Sequence, residues 1–159
     1  MYFPLTTPDT IYPAHPVEIA RRLGFCLGNA VLCTLYAPYR DGVEDCDRTL
    51  EYLILENSLP QAPLCHAAFM NVDCACEQVM LFLTEADGDA LWQDLSRWQG
   101  RFLGGLRQYL QWLGGNDDTR IPLERMMRAV RELRRVLSLR DTTGQIYQGM
   151  TGMPEEENV

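Results

Sequence analysis

The chain has 159 residues, enough for one domain able to bury about two thirds of the surface its unfolded form exposes. With 47% hydrophobic and 23% charged residues, its composition excludes wholesale disorder and removes any need for a disulfide or metal staple. A formal net charge of -8 and a pI near 4.7 oppose long-range attraction to a polyanion.

The opening stretch MYFPLTTPDTIYPAHP contains four prolines, which restrict their own backbone and that of the residues before them, so residues 1–15 are expected to form an extended arm. Pro16 suits the first turn of a helix, and a first helix is expected over 16–35, stopped by APYRDG. The uncharged run over 23–39 falls short of the roughly 20 apolar residues a membrane-spanning helix needs, and reads as a buried helix. No secretory signal is evident, because the basic pair Arg21-Arg22 lies well inside the chain.

A second helix is expected over 43–57, with Asp41 near its start and Leu50, Leu53 and Ile54 facing inward. The third, over 63–83, is apolar on most sides and is expected to be central. The fourth has the clearest period: Leu91, Leu95, Trp98, Phe102, Leu106, Tyr109 and Leu113 recur at steps of three and four. Its interior glycines, Gly100, Gly104 and Gly105, each cost about 1 kcal/mol against alanine. They require a closely approaching helix, for which the first helix, with Gly24 and Gly28, offers matching spacing.

GGNDDTRIP ends that helix and starts a fifth over 123–140, on which Leu123, Met126, Val130, Leu133, Val136 and Leu137 share one face. Residues 141–159 show no helical period and end acidic, the pattern of a flexible tail. The expected architecture is therefore an all-α, compact bundle of about five helices within a single domain at 16–140.

Charge is divided along this chain. Residues 41–94 hold twelve acids against Arg48 alone, whereas residues 95–140 hold ten arginines against four acids. The fifth helix concentrates Arg125, Arg128, Arg131, Arg134, Arg135 and Arg140, with Glu124 and Glu132 placed to reduce the field a phosphate would feel. These six arginines are the candidate partner-binding residues, and their partner is expected to be another protein, with a salt-sensitive homo-oligomer as one form. An accessory nucleic-acid contact through the same helix is the alternative. Every positive side chain is arginine, which reads as codon bias.

Six cysteines without the spacing of a secreted scaffold read as reduced thiols in a cytoplasm. Cys65, His66, Cys74 and Cys76 supply the ligand types of a zinc site, the second alternative. In a continuous helix, however, Cys74 and Cys76 point about 200° apart, and the expectation is a helix core filled by thiols. His66, Asp73 and Glu77 share a face, but two histidines supply little chemistry. No phosphate-binding glycine loop, nucleophile elbow, dinucleotide fingerprint, zinc finger or helix-turn-helix signature is present. The chain is expected to be a non-catalytic cytoplasmic adaptor, regulator or inhibitor without cofactor or membrane segment.

Overall fold

The computed structural model describes residues 12, 13, 16–85 and 88–151, with residues 143–151 described by their backbone alone. Among the described residues there are six α-helices and no strand, so the chain is all-α. The helices are α1 (Pro16–Ala20), α2 (Phe25–Tyr36), α3 (Gly42–Ser58), α4 (His66–Thr84), α5 (Ala90–Trp112) and α6 (Arg120–Thr151), with a 3-10 turn at Ala37–Tyr39.

The single helix expected over 16–35 is two. After Ala20 the chain turns through hydrogen bonds from Arg22 N–H to the Ile19 carbonyl (3.3 Å) and from Leu23 N–H to the Ala20 carbonyl (3.0 Å). Extended Gly24 (φ -68°, ψ 174°) then starts α2. This corner folds α1 back onto α2 at Gly28, where a Cβ would lie 2.8 Å from the Ala20 carbonyl oxygen. Only glycine admits so close an approach, and a hydrophobic period carries no sign of such a corner. Nine of the twelve residues of α2 are buried, which makes it the central helix.

α3 buries Cys46, Thr49, Leu53 and Glu56 at helical spacing. Ile54 follows Leu53 by 100° of helix rotation and is 61% exposed, contrary to its expected inward position. α4 is not central either: Val72, Cys76, Val79 and Leu83 form one buried stripe against α5 and α1, while Met70 and Leu81 are exposed. Apolar residues around a helix did not mean burial around it.

α5 begins as its pattern requires, with the Asp89 carboxylate accepting from Trp92 N–H at 3.0 Å. Leu95, Phe102, Leu106 and Tyr109 are buried, with Leu91, Trp98 and Leu113 partly buried at the rim. The helix that approaches its glycines is α6: a Cβ on Gly105 would lie 2.8 Å from Met126 Cγ and 3.3 Å from the Pro122 carbonyl oxygen. Gly24, offered by the spacing as a partner, has nothing within 4 Å of a Cβ.

α6 runs past the expected end at 140 to Thr151, because neither Asp141 nor the threonines after it stop a helix and the next proline is Pro154. Residues 141–151 of the expected tail are thus helical backbone. Residues 152–159 and most of the expected N-terminal arm lie outside the described residues. Of the arm, Tyr12 and Pro13 are described: Tyr12 is buried, donates from its hydroxyl to the Leu35 carbonyl at 3.0 Å, and packs edge-on against Phe82, and Pro13 is exposed. Gln99 reaches the same point and donates to the Thr34 carbonyl at 3.0 Å, tying α5 to the end of α2.

One buried carboxyl gives the fold a pH signature. Glu56 is buried on α3 and accepts from the Tyr109 hydroxyl at 2.7 Å. Burial raises its pKa above the ordinary 4.5, with the Tyr109 hydrogen bond opposing. The folded chain therefore holds this proton to a higher pH than the unfolded chain, so the group's contribution is full below 4.5 and is lost as pH rises through the folded value. Glu56→Gln is expected to flatten the fall in stability just above pH 4.5, measured by urea unfolding at stepped pH; an unchanged slope would refute it.

Candidate functional site

The six arginines singled out on the last helix separate into two groups. Arg134 Nε reaches Asp47 of α3 at 2.7 Å, Arg135 pairs with Glu132 at 3.1 Å, and Arg140 donates to Asp141 (3.1 Å) and to the Pro38 carbonyl (2.9 Å). These three are occupied within the fold. Asp73 of α4 likewise takes both Nε (2.7 Å) and Nη2 (3.1 Å) of Arg107 on α5. Part of the charge division is thus consumed in joining helices. Arg125 donates to the neutral Gln108 side chain, and Arg128 and Arg131 are exposed with no carboxylate partner among the described residues.

Arg125 and Arg128 form one wall of a groove of about 990 Å³ between α4, α5 and α6. Its floor is α5 at Gly100, Gly104 and Gly105; the far wall is Met80, Leu83 and Thr84 of α4, and Ala129 continues the α6 side. Two further arginines stand at its rim. Arg101 lies over the Trp98 ring, 4.8 Å from its centroid, and Arg97 pairs with Asp94 at 2.7 Å. Gln93, Ser96 and Gln108 complete the polar lining, and among the described residues no aspartate or glutamate is part of it. With Arg97 paired to Asp94, Arg101, Arg125 and Arg128 remain without a carboxylate partner among the described residues and give this concavity positive charge on an acidic chain. Arg131, Arg134, Arg135 and Arg140 lie outside it.

Arg97 and Arg101 were not singled out by the sequence, and Trp98 was read there as part of the apolar stripe of α5. Their signal was there in part: Arg97 and Arg101 are four residues apart and flank Gly100 on the polar side of the α5 stripe. What sequence periodicity could not supply was the arrival of α6 beside that side.

The cysteine and histidine cluster is spread out by an unbroken α4. Cys65 is the residue before its first turn and is exposed, as are His66 and Cys74, whereas Cys76 is fully buried. Among the described residues, no three His, Cys, Asp or Glu side chains gather as a metal-binding group. The expected filling of the core by thiols holds for Cys76 but not for Cys65 or Cys74. Burial pushes the Cys76 thiol up to about 12, which keeps it protonated at neutral pH. Cys76→Ser is therefore expected to destabilise by about 1–2 kcal/mol by placing a hydroxyl among apolar neighbours, and Cys74→Ser by far less. Equal losses in thermal unfolding would contradict these positions.

Among the described residues no helix is long and apolar enough to cross a membrane. Comparison with known proteins finds no matching family model, no matching curated protein and no matching solved structure.

Proposed function

We propose that the protein is a non-catalytic cytoplasmic adaptor, regulator or inhibitor that works by binding another protein, with the groove between α4, α5 and α6 as its binding surface. The observation that carries this reading is a concavity that combines apolar side chains, a glycine floor open at Gly100 and four arginines, with no lining carboxylate among the described residues. Such a surface suits recognition: the apolar part supplies affinity, and the arginines supply orientation and selectivity for negative charge. Among the groups with raised pKa values, the buried thiols of Cys33, Cys46 and Cys76 line no part of this groove, and Glu56 and Tyr109 line a separate, smaller cleft.

An accessory nucleic-acid contact is the second reading, favoured by the exposure of Arg128 and Arg131. It is weakened by the apolar lining and by the pairing of Arg134, Arg135 and Arg140.

The test is affinity capture from native host cells with the wild-type chain and the double variant Arg125→Glu/Arg128→Glu, identifying bound protein by mass spectrometry. The expected result is a specific protein held by the wild type and lost from the variant, with helical circular dichroism unchanged. Recovery of nucleic acid in place of protein, or capture that ignores both substitutions, would overturn the assignment.

A further inference from the structure

We infer that the occupant of the groove is an acidic amphipathic helix of the partner, seated along α5 over Gly100 and Gly104. This rests on the protein-binding reading and specifies the chemistry of the bound segment.

The first argument is electrostatic complementarity. Arg101, Arg125 and Arg128 have no carboxylate partner among the described residues, and they stand around one concavity. Arg101 lies over the Trp98 ring with its Cζ 4.8 Å from the centroid, a contact that holds the guanidinium at the groove and uses none of its N–H donors on a carboxylate. Carboxylates on the occupant would receive these donors in bidentate geometry.

The second argument is the shape of the floor. A Cβ at Gly100 would meet nothing within 4 Å, and one at Gly104 would make only an ordinary 3.6 Å contact with Met80 Cε. Unlike Gly105, neither glycine is required by a neighbour in the chain, yet each weakens a helix interior by about 1 kcal/mol relative to alanine. They lie one turn apart and leave room for another backbone to approach closely, between the apolar Met80, Leu83 and Ala129.

The third argument concerns the occupant's own backbone. A peptide that binds by adding a strand needs a sheet edge for its N–H and C=O groups, and there is no strand among the described residues. A helix satisfies those groups internally and presents one apolar and one charged side, the helix-in-groove mode of recognition.

The experiment is fluorescence anisotropy of a labelled synthetic helix built from leucine, alanine and glutamate, titrated with the full chain, beside the same peptide with lysine for glutamate. The glutamate peptide is expected to bind with an affinity that falls as salt rises, and the lysine peptide not to bind. Gly100→Leu, which fills the floor where there is open space, is expected to lower affinity at least about tenfold while leaving the melting temperature unchanged or higher. Arg125→Glu/Arg128→Glu is expected to lower it by about tenfold or more.

Absence of binding by the glutamate peptide, equal binding of the lysine peptide, or an affinity indifferent to Gly100→Leu would overturn the inference. So would displacement of the peptide by a short single-stranded RNA at equal concentration. Self-association in sedimentation at low salt that disappears in the double arginine variant would instead make a second copy the occupant, and would also overturn it. If a host protein is captured equally by wild type and Gly100→Leu, this inference fails while the protein-binding reading stands.

Discussion

Asp45→Ala is expected to destabilise the folded chain by about 3–5 kcal/mol, because it removes one partner of a buried ion pair and leaves the other in place. The Asp45 side chain has no exposed surface, and its two oxygens accept from Arg40 Nε and Nη2, each at 3.0 Å, with Arg48 Nη1 adding a third bond at 2.7 Å. Arg40 is itself 16% exposed and lies over the Tyr36 ring, at the point where the 3-10 turn passes into α3. Without the carboxylate its guanidinium is a buried cation at the junction of α2 and α3. Asp45→Asn, which keeps the volume and one acceptor, is expected to cost less. Chemical denaturation of the three proteins checks this, and a loss below about 1 kcal/mol for the alanine variant, the scale of an exposed pair, would contradict it.

Gly105→Val is expected to cost about 3 kcal/mol, at the upper end of the overpacking range, because the new atoms meet Met126 and the α6 backbone where the two longest helices cross. The same substitution at Gly100, with open space beside it, is expected to leave stability unchanged or raise it slightly. The contrast separates packing from helix propensity, since both positions lie inside α5. Equal thermal shifts for the two variants would mean that α6 does not approach at Gly105.

These two sites show what the chain's residues made legible and what they did not. The α5 stripe was readable because one apolar face alternates with a polar one; the Asp89 cap at its start was not read from the sequence. The corner between α1 and α2 was not, because apolar residues continue through it and the cause is a contact between Gly28 and Ala20. α4 misled because its outer face carries Met70 and Leu81, which a central helix would also carry. The interior glycines of α5 were read as a place of close approach, and that holds for Gly105; at Gly100 the same residue type marks open space, and at Gly104 a Cβ would make only an ordinary 3.6 Å contact with Met80.

For the groove, Arg125 and Arg128 were visible as part of a basic helix, but nothing in their spacing separated them from Arg134 and Arg140, which the fold occupies internally. That division is made by tertiary position: α6 presents its first turns to α5 and α4, and a later part to α3 and the 3-10 turn. Arg101 belongs to the polar side of α5, and Trp98 to the rim of its apolar stripe, until α6 arrives beside them. An arginine's availability is a property of the packed chain, which a charge count along the sequence does not contain.

The claim that the α5 groove is the functional surface is tested most directly by a photo-crosslinking amino acid placed in native host cells either at Thr84, exposed on the α4 wall of the groove, or at Ile54, exposed on α3 outside it. A discrete protein adduct is expected from position 84, abolished when Arg125 and Arg128 are changed to glutamate, and none of the same mass from position 54. An adduct formed from position 54 alone would contradict it.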